Sequence, residues 1–175
     1  LEIYVDQDAV ILKKYKSSCI LCGSSENLVD YKNCIEWFNK EVKGPHNIVE
    51  SYGASYTDCD IVSSYTGLST IFGWQTHEWL WRYHGIVDKE KDILVSDPDR
   101  DVFQLYINPR HEDVDTVYTS ADINEIKAVL DKYNVEYIIS GPLEFENYGY
   151  INNAAFDQIG DIVFESGYVR VYEVR

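Results

Sequence analysis

The sequence has little positive charge: 15 Lys and Arg stand against 30 Asp and Glu, which gives a formal net charge of −15. A chain this acidic repels the phosphate backbone of nucleic acids and the headgroups of anionic lipids. The composition therefore excludes nucleic acid as a partner. Cations, basic protein surfaces and neutral sugars remain as candidate ligands.

Long hydrophobic runs and methionine are also missing. No stretch approaches the ~18 consecutive apolar residues of a membrane-spanning helix, and the N-terminus lacks the basic and apolar regions of a secretory signal. A chain that begins at Leu1 and contains no methionine is expected to be a piece of a longer protein. Its 175 residues, 45% of them hydrophobic, predict one soluble domain over residues 1–175, with residues 1–26 as an irregular linker or cap.

The four cysteines do not follow a metal-site spacing. Cys19 and Cys22 form a C-x-x-C motif, and Cys34 and Cys59 follow at intervals that match no zinc pattern with even spacing. A thioredoxin-like motif opens a helix after a strand, whereas the residues after Cys22 are typical of a loop. We therefore predict two disulfides or unpaired core thiols, keep structural zinc as an alternative, and predict no cofactor.

Hydrophobic periodicity predicts helices that alternate with strands. Helical spacing of apolar residues is clearest over residues 27–42 and 123–133, and shorter helices are predicted at 76–83, 97–106 and 143–148. Short apolar runs predict strands at residues 47–51, 61–64, 69–72, 116–119 and 135–140. Residues 162–165 and 168–174 predict a terminal hairpin. The fold class is therefore α/β, with a mixed β-sheet covered by helices and a C-terminal antiparallel hairpin.

Residues 67–82 concentrate aromatic and charged side chains. The set is able to stack on sugar rings and to hydrogen-bond their hydroxyl groups. In the alternative interpretation the tryptophans fill a core, and Glu78 forms a surface ion pair with Arg82 four residues later. The side chains concerned are Trp74, His77, Glu78, Trp79, Trp81, Arg82 and Tyr83.

His77-Glu78 resembles the start of the metalloprotease motif H-E-x-x-H, but Trp81 occupies the position of the second histidine. That substitution excludes the protease. If Thr76 caps the predicted helix, His77, Trp81 and His84 share one face, and a metal site built from both histidines and a distant carboxylate stays an alternative.

Three glutamates are candidate carboxylates for a glycoside hydrolase. Glu50, Glu78 and Glu144 would serve if two of them lay about 5 to 10 Å apart. Glu50 also has a structural interpretation, because a charge that ends an apolar strand is expected to be paired, here with Arg82 or Arg100.

Several blocks of the chain resemble the YYY family of uncharacterised, many-spanning membrane proteins. The first reads E-x-x-G-x-x-Y from Glu50 to Tyr56, and the second matches T-G-L-P-T from Thr66 except for Ser69 in place of proline. The third is G-W-x-x-H-E-x-x-W-R from Gly73 to Arg82. Weaker blocks follow at Tyr118, over residues 130–137 and over residues 141–144, so the resemblance covers residues 35–175, although the four cysteines are not a family feature.

This resemblance implies a parent protein with many transmembrane helices, similar in layout to GT-C glycosyltransferases that use polyprenyl-linked sugars. The domain is then expected on the extracytoplasmic face of the membrane, with the parent's transmembrane part as its partner and a saccharide or polyprenyl-linked sugar as its ligand. We expect an accessory domain that is not catalytic in isolation. A carbohydrate-binding or protein-interaction module and a free hydrolase are the alternatives. The candidate ligand-binding residues are Glu50, Tyr52, Tyr56, Trp74, His77, Glu78, Trp81 and Arg82.

Overall fold

The structure is a computed structural model that describes residues 27–175. The predicted linker or cap at residues 1–26, and with it Cys19 and Cys22, lies outside the described residues. Within residues 27–175, no helix is both long and apolar enough to cross a membrane. The helices of this part of the chain are α1 Asn27–Glu41, α2 Ile61–Thr66, α3 Gln75–Arg82, α4 Asn108–Thr119, α5 Ile123–Tyr133, α6 Pro142–Tyr148 and α7 Asn153–Ile159.

Five strands form a mixed sheet, and two more form a separate hairpin. The strands are β1 Asn47–Val49, β2 Ser69–Thr70, β3 Gly85–Asp88, β4 Ile93–Ser96, β5 Tyr137–Ser140, β6 Gly160–Ser166 and β7 Val169–Val174. The order in the large sheet is β2-β1-β5-β7-β6. β1 runs parallel to β2 and β5, whereas β7 is antiparallel to β5 and β6. The hairpin β3–β4 stands apart as an antiparallel pair.

Helices cover both faces of the large sheet, because successive residues of its strands point to opposite sides. Ile48 and Ile139 pack with α1 and α2, whereas their neighbours Val49 and Ile138 pack with α4, α5 and α7. All four residues of β5 are buried, as expected for a central strand. The predicted mixed sheet with covering helices and a C-terminal antiparallel hairpin is confirmed.

The first and the central helix form where their apolar residues predict them. α1 buries Leu28, Tyr31 and Phe38 along one stripe and has Asp30 in its first turn. α5 ends at Asn134, whose φ of 49° is the left-handed conformation expected after a helix.

Two predicted strands are wrong. Residues 61–64 belong to α2, because a short apolar run has no period that separates strand from helix. Residues 116–119 form the last turn of α4, where Val114, Val117 and Tyr118 are buried at helical spacing. Tertiary packing there overrides the preference of valine and threonine for strands.

One predicted helix is only partly present, and two elements were not predicted. Residues 97–106 form a 3₁₀ turn at Pro98–Arg100 and then the start of a π-helical turn, Phe103–Ile107, that leads into α4. The hairpin β3–β4 and helix α7 were not predicted, because the apolar residues of these segments have no clear periodicity.

The chain path opens a crevice beside the edge strand β2. The connection after β1 leads to α2 on one face of the sheet, whereas the connection after β2 leads to α3 and then to α4 on the other face. Loops that leave neighbouring parallel strands toward opposite faces diverge, and ligands bind in such crevices in many α/β proteins.

Candidate functional site

An open cavity of about 540 Å³ lies along β2, the loop after it and the start of α3. Its volume falls in the range of small-molecule sites, roughly 300 to 1,000 Å³. Both the second and the third block of the family resemblance contribute to its surface. The lining residues are Asp60, Ser63, Ser64, Gly67, Leu68, Ser69, Thr70, Gly73, Trp74, His77, Glu78 and Trp81.

Aromatic rings form one wall of this cavity. Trp74 and His77 meet edge to face with ring centroids 5.3 Å apart, and Trp81 continues the row 5.9 Å from His77. Tyr56 contacts both Trp74 and His77, at 5.4 Å and 5.2 Å, and its hydroxyl lies 3.2 Å from His77 Nε2. We call Trp74, His77 and Trp81 the aromatic wall.

The two tryptophans of the aromatic wall differ in how firmly they are held. The indole Nε1 of Trp74 donates a hydrogen bond to the Cys59 carbonyl at 2.9 Å, which fixes its ring. A second cavity of about 170 Å³, also lined by Tyr56, adjoins Trp74. Trp81 is 77% exposed, so its ring offers a face to a ligand.

Trp79 does not belong to the aromatic wall. It is partly buried against a core cluster that includes residues of α4 and α5, and it contacts Tyr83 at 5.1 Å. Of the two places predicted for the tryptophans, an exposed surface and the core, Trp81 takes the first and Trp79 the second. Because α3 turns by about 100° per residue, positions 79 and 81 face different directions.

The start of α3 also departs from its prediction. Trp74, and not Thr76, occupies the N-cap position, and its side chain makes no capping hydrogen bond. His84 lies beyond the end of α3 and contacts Arg100 at 3.4 Å, so it does not share a site with His77. Among residues 27–175, no group of three or more His, Cys, Asp or Glu side chains is placed to hold a metal ion.

Glu78 and Arg82 form the predicted i,i+4 ion pair at the rim of the cavity. The Arg82 guanidinium also makes a cation–π contact, because it lies 3.8 Å above the centre of the Tyr106 ring. Gly73 makes room for Glu78, because a Cβ atom at residue 73 would lie 3.3 Å from Glu78 Oε1. The pair therefore has a defined position.

Glu50 is not paired with Arg82 or Arg100, and that prediction is wrong. Its buried carboxylate accepts hydrogen bonds from the backbone N–H groups of Val62, at 2.9 Å, and Ser63, at 2.7 Å. These are free N–H groups in the first turn of α2, which lack partners inside the helix. Glu50 thus caps α2 from outside it. Burial is the main reason that the pKa of Glu50 is raised.

Glu144 is a second buried carboxylate with structural partners. It accepts hydrogen bonds from the Ser51 N–H at 3.1 Å and from the Tyr31 hydroxyl at 2.5 Å, and it joins α1, α6 and the end of β1. Burial raises its pKa also. Neither Glu50 nor Glu144 lines either cavity, so of the three hydrolase candidates only Glu78 does.

Tyr52 lies outside the large cavity. Its ring stacks on His111 at 4.1 Å, and its hydroxyl donates to Asp115 at 3.1 Å. Of the eight predicted ligand-binding residues, the structure places Trp74, His77, Glu78 and Trp81 on the large cavity, Tyr56 against the aromatic wall, and Arg82 at Glu78. Glu50 and Tyr52 are elsewhere.

Asp60 lines the large cavity and was not predicted. It is 3% exposed, and neither carboxylate oxygen makes a hydrogen bond of good geometry in the described structure, although the Gly53 N–H lies close enough to act on the group. The pKa of Asp60 is raised first by burial and then by the charges of Glu50, Glu78 and Glu144, while the nearby Gly53 N–H opposes this weakly. An aspartate directly before a helix is a pattern that could have drawn attention to Asp60. The pattern was not recognised because residues 61–64 were predicted to form a strand.

Cys34 and Cys59 are buried, unpaired thiols, one of the two states predicted for the cysteines. Burial raises the pKa of Cys59 to about 11, so its thiol is protonated at neutral pH. Gly53 packs against it so closely that a Cβ atom at residue 53 would lie 2.7 Å from Cys59 Sγ.

No family model and no curated protein matches the chain. Membership in the YYY family therefore stays a prediction. Among solved structures, the chain is similar to the C-terminal globular domain of an oligosaccharyltransferase from Archaeoglobus fulgidus, with a TM-score of 0.48 and 9% identity. The match covers 83% of this chain and 97% of that one. A likeness of this degree leaves function to be argued from the site.

Proposed function

We propose that this domain binds a saccharide against the aromatic wall and serves as an accessory domain of a membrane-embedded enzyme that transfers lipid-linked sugars. The observation that carries the binding part is the pairing of a fixed indole, Trp74, with the exposed indole of Trp81 beside an open cavity. Sugar rings present C–H faces that stack on such rings.

The other surfaces of the cavity suit the same ligand. Hydroxyl groups of Ser63, Ser64, Ser69 and Thr70 and the carboxylates of Asp60 and Glu78 surround it. These groups accept and donate the hydrogen bonds that sugar hydroxyls need. The net charge of −15 favours neutral ligands over anionic ones.

The accessory role rests on the sequence blocks. Two of the three strongest blocks of the YYY resemblance, residues 66–70 and 73–82, supply most of the cavity lining. The hydrolase alternative has less support, since Glu50 and Glu144 are occupied by backbone and tyrosine donors.

The test is a titration of the protein with neutral oligosaccharides, followed by indole NMR signals or tryptophan fluorescence. Signals of Trp74 and Trp81 are expected to shift, and Trp81→Ala is expected to weaken binding about five- to tenfold, in line with a lost stacking contact of roughly 1 to 1.5 kcal/mol. Tyr168→Ala is the matched control, because Tyr168 is 80% exposed and lies outside the cavity.

The result that would contradict the proposal is a complete panel without any shift at Trp74 or Trp81. Equal loss of binding in Trp81→Ala and Tyr168→Ala would also count against the aromatic wall, because it would show a general effect of removing a surface ring.

A further inference from the structure

The side chain of Asp60 does not cap α2, because Glu50 accepts the hydrogen bonds of the first turn of that helix. An aspartate directly before a helix normally accepts hydrogen bonds from the first N–H groups of that helix. Asp60 makes no such bond, since Glu50 accepts from Val62 and Ser63 instead. The backbone of Asp60 has φ of 60°, a left-handed conformation that is uncommon outside glycine and asparagine or aspartate.

The carboxyl group of Asp60 is expensive to leave unpaired. A buried polar group without a hydrogen-bond partner costs about 1 to 3 kcal/mol, and more when it is charged. Thr70, which lines the same cavity, also has a buried hydroxyl without a partner in the described structure. Unpaired buried groups are rare in folded proteins, so two that line one cavity mark it as a place where a bound molecule supplies the partners.

The charges around Asp60 restrict what that ligand is. The Glu78 carboxylate lines the same cavity, the neighbouring Arg82 is already paired with it, and the chain carries a net charge of −15. An anionic group of a ligand would be repelled at this point. A donor of hydrogen bonds without negative charge is favoured.

We propose that Asp60 selects the ligand of this cavity by accepting hydrogen bonds from two neighbouring hydroxyl groups of an uncharged sugar, and that acidic sugars and sugar phosphates are rejected there. This inference rests on the proposed function and specifies its ligand. In a lipid-linked sugar, the cavity would receive the glycan and exclude the phosphate end.

The oxygens of Asp60 are shielded from bulk water, so a ligand reaches them through a small movement of side chains at the cavity. Asp60 lines the same cavity as Trp74, His77 and Trp81, so a sugar held against the aromatic wall lies beside it.

The test compares Asp60→Asn with Asp92→Asn. Asparagine tolerates the left-handed backbone, so Asp60→Asn keeps the fold while it removes the ionisable group. Asp92 is a matched control: it has φ of 51°, it is exposed, and it lies in the turn between β3 and β4. Each variant is melted and is titrated with methyl glycosides of glucose, galactose, mannose and N-acetylglucosamine, and with glucuronic acid and mannose 1-phosphate.

We expect Asp60→Asn to melt at a higher temperature than the unchanged protein and to bind the best uncharged glycoside at least tenfold more weakly. Two hydrogen bonds to a neutral carboxyl group contribute about 2 kcal/mol together, which corresponds to roughly thirtyfold in affinity. The acidic compounds should bind at least tenfold more weakly than their uncharged counterparts. Asp92→Asn should change neither quantity. A purely structural aspartate would show the reverse, a lower melting temperature.

Other outcomes overturn the inference. If Asp60→Asn binds sugars normally while Trp81→Ala does not, the proposed function stands and the role of Asp60 is wrong. If no sugar shifts Trp74 or Trp81, both proposals fall. If Ca²⁺ or Mg²⁺ raises the melting temperature of the unchanged protein but not of Asp60→Asn, the carboxylate holds a cation, and the sugar assignment is wrong.

Discussion

Glu50 and Asp60 are both buried carboxylates beside the start of α2, but their surroundings are opposite. Each oxygen of Glu50 accepts a backbone N–H of the helix, whereas neither oxygen of Asp60 makes a hydrogen bond of good geometry, and Asp60 lines a cavity. Glu144, like Glu50, has its partners inside the protein. The difference teaches that burial by itself does not mark a functional carboxylate. The state of its hydrogen bonds separates a residue that holds the fold from one that awaits a ligand.

The largest effect is expected from Glu50→Ala. The substitution leaves the N–H groups of Val62 and Ser63 buried without acceptors, at about 1 to 3 kcal/mol each. We expect the free energy of unfolding, measured by urea denaturation, to fall by roughly 2 to 5 kcal/mol. Glu50→Gln keeps one acceptor oxygen and should lose less. Unchanged stability in Glu50→Ala would erase the distinction between Glu50 and Asp60.

Tyr31→Phe tests the second internal carboxylate and should have a smaller effect than Glu50→Ala. The Tyr31 hydroxyl donates to Glu144 and accepts from the Leu143 N–H at 3.0 Å. Its removal therefore leaves the buried Glu144 carboxyl group and the buried Leu143 N–H without this partner. A loss of about 1 to 3 kcal/mol is expected from urea denaturation. Tyr168→Phe, at an exposed tyrosine, should be neutral. If both variants behave alike, Glu144 is not anchored through Tyr31.

Trp79→Ala and Trp81→Ala divide core from surface on one helix. Trp79 packs against the core, so its truncation is expected to lower stability by about 2 to 4 kcal/mol, somewhat less than for a fully buried tryptophan. Trp81 is 77% exposed, and its truncation should change stability by no more than about 0.5 kcal/mol. Thermal melts of the two variants suffice. A larger loss from Trp81→Ala would show that the ring of Trp81 supports the fold.

A further expected effect is a slope of stability against pH. Burial raises the pKa of Glu50 to about 7 and also raises those of Glu144 and Asp60, so the folded state keeps protons that the unfolded chain releases. The stability that these groups contribute is fully present below their unfolded pKa values of about 4, and it is lost as the pH rises through the folded values. The free energy of unfolding should therefore fall from about pH 5 toward neutrality, and the melting temperature should fall with it. His46, whose pKa is raised by its hydrogen bond to Glu136, acts in the same direction.

Asp60→Asn should flatten this slope, because it removes one of the groups that titrate, whereas Asp92→Asn should leave it unchanged. Melts at several pH values measure both. A slope that Asp60→Asn leaves intact would mean that Asp60 keeps its ordinary titration in the folded protein, and the contrast with Glu50 would then rest on hydrogen bonds alone.

Much of the fold was predictable because its signals are local. The periodicity of residues 123–133 and the left-handed Asn134 predict α5, and the alternation around Gly167 predicts the hairpin of β6 and β7. Residues 61–64 failed because four apolar residues fit a strand as well as a buried helix. The choice between them depends on Glu50, which lies outside the run and supplies the helix with acceptors.

The candidate site was predicted in part for the same reason. Trp74, His77, Glu78 and Trp81 lie in one dense segment, and residues close together in the chain stay close in the fold. Asp60 was missed because its burial and its lack of hydrogen bonds depend on residues that are distant in the sequence. No local pattern shows that a carboxylate lacks a partner, since its neighbours Glu50 and Glu78 come from other elements.

The sequence by itself determined the fold class, the acidic surface and the aromatic segment 73–82, because each depends on composition or on spacing along the chain. Only the tertiary structure decided which tryptophan lines the cavity, that Glu50 caps α2, and that Asp60 stays unpaired. Those outcomes depend on burial and on hydrogen bonds between distant residues, which form when the sheet brings the ends of its parallel strands together.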